Sequence, residues 1–131
     1  MNKEVRKEKI QEVINSCKDR TDLLNHEIMW EGQLKTEKVY NIPLSYLIYN
    51  KYNGRILSRT KSLEKQNQII DVETDLGRDL IEKLLWESKI DRNKKTLQSI
   101  RDFGQQKVGI ITKDGVIIDG NRRAMLLNKI D

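Results

Sequence analysis

Arg122 and Arg123 stand side by side in the stretch GVIIDGNRRAMLL (residues 115–127), just after an Asp-Gly pair and where a helix should begin. The N-terminus of a helix carries partial positive charge, so a cation in its first turn is misplaced by about 0.3–1 kcal/mol. The same turn leaves backbone N–H groups without helical acceptors. Gly120 has no Cβ, which lets a ligand approach the backbone closely. Gly120, Asn121, Arg122 and Arg123 thus bring free N–H groups, a helix dipole and two guanidiniums to one place, and phosphate is the natural occupant. The competing reading pairs both arginines with surface carboxylates, since the chain has 20 acidic residues.

Asp119 has two compatible roles in that loop. It can cap the helix, or it can serve bound phosphates by holding Mg2+ through water or by transferring a proton. No cluster of direct metal ligands is expected. Upstream, Lys51, Arg55, Arg59, Lys61 and Lys65 face a single acid, Glu64. Such a run fits contact with a nucleic-acid backbone, with Tyr49 and Tyr52 as stacking platforms. The competing reading is a solvated helix surface, which is what a lone charge run usually is. Arg55 and Arg59 share a face if a helix starts at Gly54.

Other chemistry-bearing residues are weaker candidates. His26 reads as a surface residue on a short helix. Glu31 and Glu37 are candidate general bases only by their place before a strand. Trp30 and Trp86 read as core or interface anchors. Leu76, Leu80 and Leu84 form a stripe that suits core packing better than a homodimer contact.

The whole chain sets bounds on these readings. Its 131 residues suit one domain, and the net charge of +5 with a pI near 9.3 favours phosphate-bearing partners. Hydrophobic residues make up 37% and charged residues 34%, polar for a packed domain but not the composition of a disordered one. Cys17 is the one cysteine and His26 the one histidine, which excludes an internal disulfide and the usual zinc sites. The opening MNKEVRKEKIQEVI is too charged for a signal peptide, and no apolar run approaches the roughly 20 residues of a membrane span. The expectation is a cytoplasmic protein with no membrane partner.

The positioning elements follow from periodicity. Ile10, Val13, Ile14 and Cys17 share a face over residues 4–18, an amphipathic helix. Thr21 and Asp22 suit the cap of a short second helix holding Leu23, Leu24 and Ile28. EGQLKTE then reads as a turn and strand entry, and a strand should end at Pro43, followed by a tight turn with Leu44 and Leu47. A helix is expected from Gly54 toward residue 69. Thr74 caps another, whose Leu76, Leu80, Ile81, Leu84 and Leu85 share a face. Residues 93–104 repeat the pattern with Leu97, Ile100 and Phe103, and Gly104 is the stop. Two β-rich runs flank Asp114-Gly115, the pair a type I′ hairpin turn demands. The second run feeds the helix that Asp119 would cap. The fold class is therefore α+β, a small mixed sheet with surrounding helices.

Two segments carry a resemblance. TLQSIRDFGQQKVGIITKDGVIIDGNRRAMLL is similar to the nucleotide-binding core of the ParB/sulfiredoxin superfamily, with Leu97, Ser99, Ile100, Gly104, Gly115, Ile118, Gly120, Arg122, Arg123 and Ala124 in the family's order. YNIPLSYLIYNKYNGR resembles the family's first box through Ile42, Pro43, Leu47, Ile48, Asn50 and Arg55. The resemblance divides this single domain into a family core (39–55 and 93–128), a helical insert (56–92) and a helical N-terminal extension (1–35). It implies that Gly120, Asn121, Arg122 and Arg123 hold nucleotide phosphates, with Arg55 a second phosphate contact. Asn121 stands where sulfiredoxin has its catalytic cysteine, so sulfiredoxin activity is not expected. Neither the further nucleotide motif nor the helix-turn-helix of partition proteins lies within these residues.

The leading expectation is a domain that binds a nucleoside triphosphate, CTP or ATP, with Mg2+, and is a candidate for slow hydrolysis. Binding would act as a switch in a DNA-directed process such as partition, mobile-element maintenance or phage defence. No residue stands out as an activator of water, so the catalytic residues are open. The alternative is a nucleotide-independent basic module that binds DNA or a protein through the same fold.

Overall fold

A computed structural model describes residues 1–105 and 107–130. The chain is α+β, as its patterning predicts, with five helices and two antiparallel strand pairs among the described residues. Helix α1 (Lys3–Ser16) starts at Asn2, whose side chain accepts from the N–H of Val5. Of its expected apolar face, Ile10 is buried, and the charged Arg6 is buried with it. The Arg6 guanidinium donates to Glu73 at 2.7 Å and to the carbonyl of Asp114 at 3.0 Å, tying α1 to two loops.

The short helix expected around residues 21–28 is instead strand β1 (Asn25–Trp30), paired with β2 (Gln33–Lys38) from Asn25↔Lys38 to Trp30↔Gln33. The N-terminal extension is therefore not all helical. The reason lies in the connection: Glu31 and Gly32 both take positive φ, 51° and 76°, which is the two-residue turn that reverses a strand. The strand expected to end at Pro43 ends instead at Lys38, and a single 3-10 turn (Leu44–Tyr46) follows Pro43.

Helix α2 (Leu57–Lys65) starts after Arg55, not at Gly54, and ends before residue 69. Helix α3 (Asp75–Ser88) opens on Thr74, whose hydroxyl accepts from Gly77 N–H at 3.1 Å. Asp75 in its first turn suits the helix dipole. Gly77 packs directly on the Asp71 backbone. Leu76, expected on the core face, is 85% exposed, so the Leu76, Leu80, Leu84 stripe does not exist as one surface. Only Lys89 separates α3 from α4 (Ile90–Phe103), which begins three residues earlier than its apolar spacing suggests and stops at Gly104. Phe103 lies in solvent.

Strands β3 (Ile110–Ile111) and β4 (Ile117–Asp119) form the second sheet. Their turn is not type I′, because Gly115 has positive φ (88°) but Asp114 does not. The N–H of Gly115 donates to Thr112 and that of Thr112 to Val116, closing a three-residue loop with a glycine bulge. Ile48 adds a parallel bridge at Val116, donating to the Gly115 carbonyl at 2.9 Å and accepting from Ile117 N–H at 3.0 Å. The first-box segment thus meets the β3–β4 edge, although the strands as a whole form two sheets and not one.

The core gathers Ile56, Ile70, Ile81, Leu84 and Leu85 from residues 56–92 against Tyr49, Ile117, Met125 and Leu126. The segment between the family-like blocks is part of this core. Each such side chain, fully buried, contributes about 1.5–3 kcal/mol. No helix of the described residues is long and apolar enough to cross a membrane.

Candidate functional site

Helix α5 (Asn121–Ile130) begins one residue later than a cap at Asp119 would require. Gly120 takes the cap place, with φ 107°, and its carbonyl accepts from Ala124 N–H at 2.9 Å. Two constraints keep that position glycine. L side chains rarely adopt its φ, and a Cβ there would lie 3.3 Å from the Arg123 guanidinium. Asp119 is the last residue of β4, exposed, with its carboxylate 3.4 Å from Arg123. It does not cap the helix.

The expected loop residues have separated roles. Asn121 is buried: its amide donates to the Ile117 carbonyl at 3.0 Å, and its oxygen accepts from Asn50 N–H at 2.8 Å. Its side chain locks the first box to the strand–helix loop, with both its oxygen and its amide group engaged within the chain. Arg123 donates to the Val108 carbonyl and to Asp119, so for this residue the surface-carboxylate reading holds. Its Nε–H is buried without a partner.

Arg122 is different. Its Nε–H donates to Asn93 Oδ1, and one terminal nitrogen donates to Thr96 Oγ1 at 2.7 Å and to the Arg92 carbonyl at 3.3 Å. Every one of those acceptors is neutral. No carboxylate of the described residues reaches ion-pairing distance of Arg122, Arg55 or Arg92. Burial holds the Arg122 pKa below its ordinary value, and the positive charges of Arg55, Arg92 and Arg123 lower it further. The same charges show that Arg55, some 67 positions upstream in sequence, lies within electrostatic range of the loop.

Arg92, Asn93 and Thr96 were not among the expected site residues. Their signal was nonetheless present: Arg92 is a cation in the first turn of α4, the same anomaly that marks α5. It was hidden because apolar spacing starts that helix at residue 93. No side chain caps α4. Asn93, fully buried, donates instead to the carbonyls of Leu85 and Trp86 at the end of α3, at 3.0 and 2.8 Å. It turns the α3–α4 corner and presents its oxygen to Arg122.

The other expected contacts disperse. Arg55 is exposed and precedes α2, so it shares no helix face with Arg59. Arg59 lies 3.9 Å from Glu87 and lines a cleft of about 400 Å³ with Ser58, Ser62 and Leu63. Lys51 donates to the Ile70 carbonyl at 3.0 Å and lies 3.8 Å from Glu64. Lys61 and Lys65 are exposed on α2. Tyr49 is 3% exposed and belongs to the core, so it is no stacking platform. Tyr52 is exposed, under Lys51 Nζ, with its hydroxyl donating to Glu64. His26 stands opposite Glu37 in the β1–β2 pair, and Glu31 is in the turn. Trp30 is exposed on that hairpin, while Trp86 packs on the core beneath Lys129. No family model, no curated protein and no solved structure matches the chain.

Proposed function

We propose that this chain binds the phosphates of a nucleoside triphosphate where the first turns of α4 and α5 meet, and that occupancy is a switch in a DNA-directed process. The observation that carries this reading is the uncompensated charge of Arg122, set among Arg55, Arg92 and Arg123 with neutral partners only. A compact polyanion would relieve that repulsion and supply acceptors for the N–H groups of an α5 N-terminus that Gly120 cannot cap. The similarity of residues 39–55 and 93–128 to the ParB/sulfiredoxin core points the same way and suggests CTP or ATP.

Phosphate contact falls to Arg122, Arg55 and the backbone of residues 120–123, with Arg92 as a further cation. Among the described residues no group of three or more His, Cys, Asp or Glu gathers, and Asp119 is already beside Arg123. The side chains therefore do not fit a protein-held Mg2+, and a cation would arrive on the triphosphate. Slow hydrolysis would rest on charge stabilisation by the arginines alone.

A second reading has its own support. The exposed cations Arg55, Arg92, Lys61 and Lys65 stand on an open surface, which suits a phosphodiester backbone. Calorimetric titration of the chain with CTP, ATP and GTP, with and without Mg2+, beside a DNA duplex, separates the two. Saturable nucleotide binding lost in Arg122→Ala supports the switch. Salt-sensitive duplex binding with no nucleotide response would replace it by the basic module.

A further inference from the structure

The hairpin β1–β2 stands apart from the core, and all six residues of β2 are exposed. A two-stranded hairpin is marginal in water by itself, and this one shows Leu24, Met29 and Leu34 at 72%, 68% and 63% exposure. The register identifies which backbone groups are free. Val39 N–H donates to the Leu24 carbonyl at 2.8 Å, continuing the pairing by one hydrogen-bonded pair. Alternation then makes His26/Glu37, Ile28/Lys35 and Trp30/Gln33 the bonded pairs, so Leu34, Thr36 and Lys38 turn their N–H and C=O groups outward.

From this edge we infer that β2 pairs antiparallel with β2 of a second copy of the chain, about a two-fold axis at Thr36. In that register Thr36 exchanges both backbone bonds with its own copy. Lys35 lies opposite Glu37 of the second copy, and Glu37 opposite Lys35, at the close non-bonded positions. Lys38 lies opposite Leu34, whose apolar surface its methylene stem can cover. The neighbouring registers are penalised: moving the axis to residue 35 sets Lys35 against itself, and moving it to residue 37 sets Glu37 against itself. The outer edge of β1 offers no Lys–Glu pair of this kind, since β1 holds Glu27 and no Lys or Arg. The result is a four-stranded sheet with an isologous interface.

Sedimentation of the full chain over a concentration series tests this. The wild type should dimerise, and K35E and E37K should each be monomeric, because each places like charges across the axis. An equimolar mixture of K35E and E37K should dimerise again, since every cross-axis pair is then opposite in sign. Thr36→Pro should also abolish the dimer, because it deletes an N–H that faces away from β1 and leaves the hairpin intact. A wild type that stays monomeric overturns the inference. So does a dimer indifferent to the single charge reversals, or a mixture that stays monomeric.

Discussion

The Nε–H of Arg122 donates to the oxygen of Asn93, while the amide group of the same Asn93 donates to the last carbonyls of α3. One buried side chain therefore holds a helix corner and a site arginine together. Asn93→Ala would leave the Trp86 carbonyl and the Arg122 Nε–H without this partner in a part-buried corner, while the Leu85 carbonyl keeps the Ser88 hydroxyl at 2.6 Å. We expect a loss of about 1–3 kcal/mol, read as a lower urea midpoint at unchanged slope. A loss of a few tenths would mean that the corner is held by packing alone.

Charge removal around the loop should act unevenly. Arg122→Ala should weaken triphosphate binding roughly ten- to a hundredfold, the range of a charge-assisted hydrogen bond. Arg123→Ala should cost less, because Asp119 already shares that charge. Asp119→Asn should strengthen binding by removing the carboxylate that competes for Arg123. Calorimetric affinities of the three variants check the order, and an Asp119→Asn protein that binds more weakly would assign Asp119 to the ligand.

What was legible in the sequence was local. Thr74, Gly104 and the apolar spacing between them mark α3 and α4 because caps and a repeat near 3.6 act over single turns. Half of the β1–β2 hairpin was legible: Gly32 marks the turn and the entry to β2, whereas β1 was hidden because Leu23, Leu24 and Ile28 satisfy a helical spacing. The site divided in the same way. Arg122 and Arg123 were visible as misplaced cations, but Arg92, Asn93 and Thr96 reach Arg122 only through the α3–α4 corner, 26 to 30 residues away in sequence. Asp119 looked like a cap because carboxylates commonly cap; the extra strand residue and Gly120 displaced it.

Glycine substitutions should divide sharply by backbone approach. A Cβ on Gly77 would lie 1.8 Å from the Asp71 carbonyl oxygen, and backbone cannot swing aside as a side chain can. Gly77→Ala should therefore cost on the order of 1–3 kcal/mol through displacement of the loop before α3. Gly54→Ala meets nothing within 4 Å and should change stability by under about 0.5 kcal/mol. Thermal melts of the two variants side by side decide this.

Tyr49 gives the fold an alkaline limit. Burial is the main cause that raises its pKa above 10.0, although the Asn128 amide donating to its hydroxyl at 3.0 Å acts in the opposite direction. In the unfolded chain the phenol ionises near pH 10, whereas the folded state keeps its proton. Between those two pKa values the unfolded state binds fewer protons, so unfolding becomes easier as pH rises, by about 1.4 kcal/mol per pH unit from this one group. Below pH 10 both states are protonated and the contribution is flat. Tyr49→Phe removes the titrating group and leaves Asn128, which is half-exposed, open to water. Urea unfolding between pH 9 and 11 should therefore fall more steeply for the wild type than for Tyr49→Phe, and parallel slopes would show that the phenol is hydrated in the folded state.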